Sequence, residues 1–398
     1  HDPNDFEIGQ RHQLPIVNIL NRDATLNEAA GPYAGLDRFK ARDRVVADLE
    51  AQGLLVQTEP HTSPVGHCER CETMLEPIVT KQWYMKMKGL ADRAVAAVER
   101  KDIVLLPDNM PAIFNEWMRN IQDWCISRQT WWGHRIPVWH CAKGHYTVPA
   151  SGGAPDPTVC GECREPVTQD PDTLDTWFTS CLWPFGILGW PDEQRFSAAK
   201  AAKLYPTTIL VTGWDILFFW VSRMIMMGLH YTGEAPFRTV VLNLLVADPE
   251  GKKMSKSKGN VIDPLDLFDR FGTDASRFAL TRLETLRETI RVSEERVEHG
   301  RNFMNKLWNA ARFTLGELEG FTPSAQPPAN LSLADKWILS HAAFASDQAT
   351  GLLARYEFGS YALLTEEFVW HSLCDTYIEL AKPALKDAAT RPAAQWTL

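Results

Sequence analysis

The stretch GKKMSKSKGN, residues 251–260, sets four lysines and two serines between two glycines in a chain whose net charge is −9. A lysine run of this kind is most simply a solvated turn. The alternative is a local cationic site: the acidic balance argues against general coating of nucleic acid but leaves room for basic patches that bind it. A second constellation has the residue types of a metal site. Four of the eight cysteines fall in CxxC pairs, Cys68/Cys71 in GHCERCET and Cys160/Cys163 in VCGECREP. With Cys141 and His145 of HCAKGHY, the second pair completes the ligand set of a tetrahedral Cys3His zinc site. His140 competes for the fourth place, and a loop with incidental cysteines is the simpler reading. The intervening VPASGGAPDP is a segment that a metal clip holds where a core cannot. Cys68 and Cys71 form a possible second site with no companion pair nearby, so they are either completed from elsewhere or metal-free. Cys125, Cys181 and Cys374 sit among apolar neighbours and suit packing.

The elements that must position these groups follow from periodicity. LPIVNIL (14–20) suits a strand, and 35–53, with Leu36, Phe39, Val46 and Leu49 between charges, suits an amphipathic helix closed by Gly53. TTILVTG (207–213) reads as a short buried strand ending at glycine. WDILFFWVSRMIMMGLHY follows as a long apolar helix, and FRTVVLNLLVADPEG as a second strand that runs into the lysine loop. Strand, helix, strand predicts a βαβ unit in a parallel sheet, with a ligand at the strands' carboxyl ends. Residues 274–320 read as helices, TPSAQPPANLS as a boundary, and the chain from 334 as a helical bundle. No run reaches the roughly 18 uninterrupted apolar residues of a membrane span. The most apolar segment, Ile216 to Tyr231, carries Ser222, Arg223 and His230 and is read as a buried helix. With no signal peptide visible, a cytoplasmic location is expected. The chain starts on HDPNDFEIGQRH without Met and is read as a piece of a longer protein.

KMSKS, Lys253 to Ser257, together with DTWFTSCLWPF, ISRQTWWGHRIPVW, VTGWDILFFWVSRM and GNVIDPLDLFDRFGTDASRFAL, resembles the class I aminoacyl-tRNA synthetases. Within the valyl, isoleucyl and leucyl branch, HDPNDFEIGQRH and RVSEERVEHGRNFMNKLWNAARF resemble the valyl-tRNA synthetases, and the resemblance runs from His1 to about Pro383. It implies an α/β fold: the C-terminal half of a Rossmann-type nucleotide-binding domain with a zinc-binding insertion, followed by an α-helical anticodon-binding domain. The implied boundaries are 1–80 for the end of the editing domain, 81–139 for the return into the catalytic domain and 140–166 for the zinc module. They continue with 167–275 for the second catalytic half, 276–320 for a helical junction and 321–398 for truncated anticodon-binding helices. Activation attacks the α-phosphate of ATP and expels pyrophosphate, so mobile lysines closing over the β and γ phosphates suit it. By resemblance Lys253 and Lys256 are catalytic, and Lys253, Met254, Ser255, Lys256, Ser257 and Gly213 bind ATP, which is used as its Mg2+ complex. Gly251 and Gly259 would let the loop move. Trp177, Ile216 and Trp220 resemble the lining of the amino-acid pocket. Asp215 either meets the substrate ammonium or caps the helix beside it. Asp2 and Asp5 resemble the end of the editing site; an Asx turn before Pro3 is the local alternative. The implied partners are L-valine, ATP and tRNA(Val), with no membrane, and a monomer is expected.

The HIGH motif that the family sets opposite the lysine loop is not found, so the fragment alone is expected not to activate valine. Asn243-Leu244 stands where the family has His-Gly, LRETIRVS lacks an expected Gly and Asp, and Thr376 replaces an aromatic residue. An isoleucyl-tRNA synthetase and a catalytically silent tRNA-binding paralogue are the rival readings.

Overall fold

A computed structural model describes residues 3–62, 64–68, 71–150, 154–252, 254, 259–284 and 290–398. The chain forms two compact units, His1–Trp83 and Tyr84–Leu398. In the first, helices Pro3–Arg11 and Arg38–Ala51 flank an irregular segment. Asp37 starts the second helix, its carboxylate accepting from the Phe39 N–H at 2.9 Å, and Gly53 (φ 69°) ends it in the left-handed region. The expected inward face is not the buried one. Phe39, Val46 and Leu49 stay exposed, while Ala41 packs with Leu20 and Leu26 in a small core. The strand expected over LPIVNIL also fails. Leu14, Ile16 and Val17 are exposed, and the stretch closes only a single bridge, Leu20 to Leu26. Pro15 lacks the N–H that a ladder needs, and no strand lies beside it among the described residues.

The second unit is organised by a parallel sheet with strand order Val104–Leu106, Phe237–Asn243, Thr207–Gly213. Phe237, Val240, Val241 and Leu242 are almost wholly buried, as expected of a strand covered on both faces. Thr207–Gly213 lies beside it in register, Asn243 opposite Gly213, but with Val211 exposed. The expected parallel unit is present; its first strand is only half-buried.

The crossover expected as one helix is three pieces: a 3-10 turn Trp214–Ile216, a π-turn Leu217–Val221 and an α-helix Ser222–Tyr231. The Ser222 hydroxyl donates to the Phe218 carbonyl at 2.6 Å where the π-turn meets the helix. Met224, Ile225, Met226 and Met227 are buried in succession, which an element covered all round permits. Lys88–Glu99 packs against this helix, with Arg93 donating to the Leu229 carbonyl, and its own Ala91, Ala94 and Ala97 are fully buried. No helix among the described residues is long and apolar enough to cross a membrane.

Beyond the sheet come helices Pro264–Phe271, Thr273–Leu283 and Glu294–Glu317, then the proline-containing break, then Leu333–Ala354 and the helices that follow it. Ser332 and Asp335 form a reciprocal capping box at the head of Leu333–Ala354. The same Asp335 carboxylate accepts from the fully buried Tyr377 hydroxyl at 2.7 Å, joining two elements of the bundle. Tyr377→Phe is expected to destabilise the protein by about 1 kcal/mol, because Asp335 keeps its capping donor. Urea unfolding measures this, and an unchanged midpoint would show the bond to be energetically idle.

Candidate active site and metal-ligating cluster

Gly213 and Asn243 end neighbouring parallel strands, and Asp215, Ile216 and Trp220 follow the first of them in the chain. Gly213 is extended; a Cβ there would lie 2.6 Å from Asp215 Oδ1, so the glycine lets the Asp215 carboxylate fold back over the strand end. Asp215 does not cap: Gly213 occupies the cap position of its turn and no side chain caps it. The Asp215 carboxylate is solvent-facing. Asn243 donates to the Leu244 carbonyl at 3.3 Å, holding its amide against the chain at that departure from the family pattern.

Trp177 stands in the short helix Thr176–Ser180, which is tied to the broken crossover. Trp220 Nε1 donates to the Ser180 carbonyl at 3.2 Å, and the Trp177 and Phe219 rings lie 6.1 Å apart at 28°. Trp177 lines a cleft of about 860 Å³ with Trp117, Phe218, Phe219, Asp175 and Arg223. Ile216 and Trp220, half-buried behind it, are not part of that wall.

Asp175, 4% exposed, is a residue that pattern reading passed over. Its Oδ1 accepts from the Trp177 N–H at 3.1 Å, and its Oδ2 accepts from Trp124 Nε1 at 3.0 Å and Arg128 Nη2 at 2.6 Å. Arg223 Nη1 lies 3.9 Å from the same oxygen, with its guanidinium 3.7 Å above the Trp124 ring. Burial pulls the Arg223 guanidinium below its ordinary range, while Asp175 acts in the opposite direction. A signal existed in the sequence: an aspartate directly before a helical turn is a cap candidate.

Lys253, Ser255, Lys256 and Ser257 lie outside the described residues; Met254 is half-buried. The base of their loop is defined. Val246–Ala247 pairs in parallel with Ile290–Arg291, and Asp248, buried, accepts from the Lys252 N–H at 2.7 Å and the Asn260 amide at 2.9 Å. One carboxylate thus joins the two ends of the segment. Gly251 (φ 81°) and Gly259 (φ 66°) occupy the left-handed region, so their requirement at these positions is conformational.

Cys141, His145, Cys160 and Cys163 come together with one ligand atom from each, all within 4.8 Å of one another. Two tight turns present them. Gly144 (φ 82°) donates to the Cys141 carbonyl, and Arg164 donates to the Cys160 carbonyl. The sulfurs of Cys163 and Cys141 are 3.7 Å apart, and Cys160 Sγ is 3.7 Å from His145 Nδ1. A tetrahedron with zinc–sulfur bonds of about 2.3 Å has edges of about 3.8 Å, so the donor set fits zinc. The Cys163 backbone N–H pulls the Cys160 thiol down to about 6, favouring the thiolate that a metal needs. His140 is turned away to Asp170 Oδ2 at 2.7 Å, which separates the two histidines that spacing could not. Cys68 and Cys71 flank a turn in the first unit, and no third ligating side chain joins them among the described residues. Cys181 and Cys374 are buried, and burial raises both thiols, Cys181 to about 12. Asp5 lines a small cleft of about 230 Å³ with Phe6 and Leu14 in the first unit; Asp2 lies outside the described residues.

Residues 6–153 and 156–293 match the family model of the tRNA synthetases class I (I, L, M and V). The chain belongs to this family. Residues 335–398 match the anticodon-binding domain of tRNA ligase. The chain is 51% identical over its whole length to the valine--tRNA ligase of Symbiobacterium thermophilum and 48% identical to that of Geobacter sulfurreducens. It spans 43% and 45% of those two proteins. The fold is similar to that of a Mycobacterium tuberculosis methionyl-tRNA synthetase bound by methionyl-adenylate. That likeness has a TM-score of 0.60 at 19% identity, over 84% of this chain and 60% of that one. A ternary complex of LeuRS with tRNA and LeuAMS from Agrobacterium radiobacter K84 gives 0.55 at 22% identity, over 70% and 39%.

Two outcomes follow for this class I segment. The purified protein is expected to carry one equivalent of zinc, lost in Cys160→Ala; metal analysis below half an equivalent would remove the four-ligand site. Asp248 is held below the usual carboxylate range, first by the Asn260 amide and then by the Lys252 N–H. A depressed folded value means that the tie is intact above the ordinary carboxylate range and lost as pH falls through the folded value. Hydrogen exchange at the Lys252 amide should therefore accelerate in acid; exchange independent of pH beyond its intrinsic trend would contradict the tie.

Proposed function

We propose that the protein activates L-valine with ATP and transfers it to tRNA(Val). The observation that carries this reading is KMSKS following, in sequence, the second strand of a parallel pair, in a chain 51% identical to a valine--tRNA ligase. In this reading a valine carboxylate oxygen attacks the α-phosphorus of Mg2+-bound ATP, and pyrophosphate leaves. Lys253 and Lys256 neutralise the charge that separates, and Met254, Ser255, Ser257 and Gly213 border the nucleotide. Trp177, Ile216 and Trp220 shape the apolar cavity, and the exposed carboxylate of Asp215 meets the substrate ammonium. Residues 140–166 form a structural zinc module in which Cys141, His145, Cys160 and Cys163 hold the ion and pin a loop. Cys68 and Cys71 supply half of a second such site. The helices of 321–398 bind the anticodon arm.

Threonine is close to valine in shape, and an apolar pocket rejects an added hydroxyl poorly; valine selection is a well-known case of that limit. Hydrolytic editing of mischarged threonine accordingly completes the reading, with Asp2 and Asp5 at the end of the editing site. The catalytic machinery is divided, and the 398-residue segment does not activate valine alone.

Valine-dependent exchange of pyrophosphate into ATP tests this. The protein at the full length of its relatives is expected to catalyse exchange, and Lys256→Ala to slow it about a hundredfold or more. The isolated segment should give none. Exchange by the segment alone would overturn the divided site, and a preference for isoleucine would overturn the valine assignment. Binding of tRNA without exchange would favour a silent paralogue, the reading that Asn243-Leu244 supports.

A further inference from the structure

We infer that Asp175 is a positioning residue for the amino-acid pocket, one buried carboxylate that holds both of its walls in register. The inference rests on the valine-activation reading above. One wall is the helix Thr176–Ser180 with Trp177; the other is the crossover, which faces the same cleft through Phe218 and Phe219. Asp175 reaches both. Its Oδ1 caps the first helix through the Trp177 N–H, and its Oδ2 faces Arg223, in the first turn of the helix that continues the crossover. Trp124 and Arg128, both donating to Oδ2, fix the carboxylate from a third segment. The backbone takes part as well, since the Asp175 N–H donates to the Ile126 carbonyl at 2.7 Å.

Three features make this more than an ordinary cap. A cap needs one acceptor oxygen and is met equally well by asparagine or serine. Here the second oxygen serves an indole N–H and a guanidinium, with a further guanidinium close by, and asparagine cannot supply the charge that two arginines face. The Arg223 guanidinium lies 3.7 Å above the Trp124 ring and 5.7 Å from that of Phe219, so its place depends on these aromatic faces plus this anion. Phe219 in turn stacks against Trp177, which closes a circuit from Asp175 through both walls and back. Asp175 acts on the pocket through Trp177 and Arg223.

Pocket selectivity gives this circuit its use. A difference of one methylene between amino acids is worth only about 10- to 200-fold, and it is realised only if the cavity walls do not yield. Losing the circuit should therefore weaken valine recognition and relax discrimination against isoleucine while sparing the nucleotide.

The test uses the full-length protein and pyrophosphate exchange, with KM for valine, KM for ATP, kcat, and the valine-over-isoleucine ratio of kcat/KM. Asp175→Asn, which keeps the cap, is expected to raise the valine KM several-fold. Asp175→Ala should raise it about tenfold or more and lower the discrimination ratio, with the ATP KM within about twofold of wild type. Trp124→Phe keeps the ring under Arg223 and removes only the donor, so it should give a smaller shift in the same direction and carries the test if Asp175→Ala does not fold. A wild-type protein without valine-dependent exchange would overturn the activation reading and this inference together. An active wild type whose Asp175→Asn and Trp124→Phe variants keep the wild-type valine KM would overturn this inference alone. So would variants that lose ATP and valine recognition in equal measure, which is the mark of a merely structural cap.

Discussion

The parallel pairing of Thr207–Gly213 with Phe237–Asn243 is the constraint on which the rest of the second unit depends. Parallel neighbours cannot be joined by a hairpin, so the chain must cross over between them and both strands must end at the same edge. The register puts Gly213 opposite Asn243, and several of the residues proposed to meet substrate follow one strand or the other in the chain. Asp215, Ile216 and Trp220 follow the first strand, and the lysine loop follows the second. Phe237, Val240, Val241 and Leu242 pack on both faces of the second strand, so one residue of slip would exchange the side chains that each packed face has to accommodate.

Buried carboxylates then tie the less regular parts to this frame. Asp175 gathers a helix start, an indole and guanidinium groups, Asp248 joins the two ends of the lysine segment, and Asp335 joins a helix cap to Tyr377. Glu366 does the same farther along, accepting from Arg282 and His299. Each replaces hydration with several donors, which is what makes a buried anion tolerable. An acidic chain thus places some of its negative charge where it organises structure.

Where pattern reading went wrong, the cause was tertiary. LPIVNIL has the composition of a strand but no neighbour to pair with among the described residues, and Pro15 removes a donor. On Arg38–Ala51 the large residues stay outside while Ala41 packs, because Leu20, Leu26, Tyr33, Leu36 and Ile78 already fill the small core of the first unit. The crossover was legible as apolar and buried, but its π-turn was not, since the register of backbone bonds around Phe218 and Ser222 leaves no trace in the spacing of apolar residues. His145 was the expected fourth ligand with His140 competing for the place, and the turn at Gly144 and the Asp170 contact separate the two.

Local chemistry and period were enough to read the parallel unit, the cysteines of the ligand set and the helical end of the chain, and the resemblance of its motifs pointed to the family. These depend on residue type at short separation, and short separations survive in a linear pattern. Only the tertiary structure decided that Asp175 serves two walls, that Asp248 joins a loop's ends and that Asp215 is not a cap. Those roles depend on which groups the folded chain brings together, at short range along the chain for Asp215 and Asp248 and tens of residues apart for Asp175. A buried charge is explained by its partners, and for Asp175 those partners lie as much as 51 residues away.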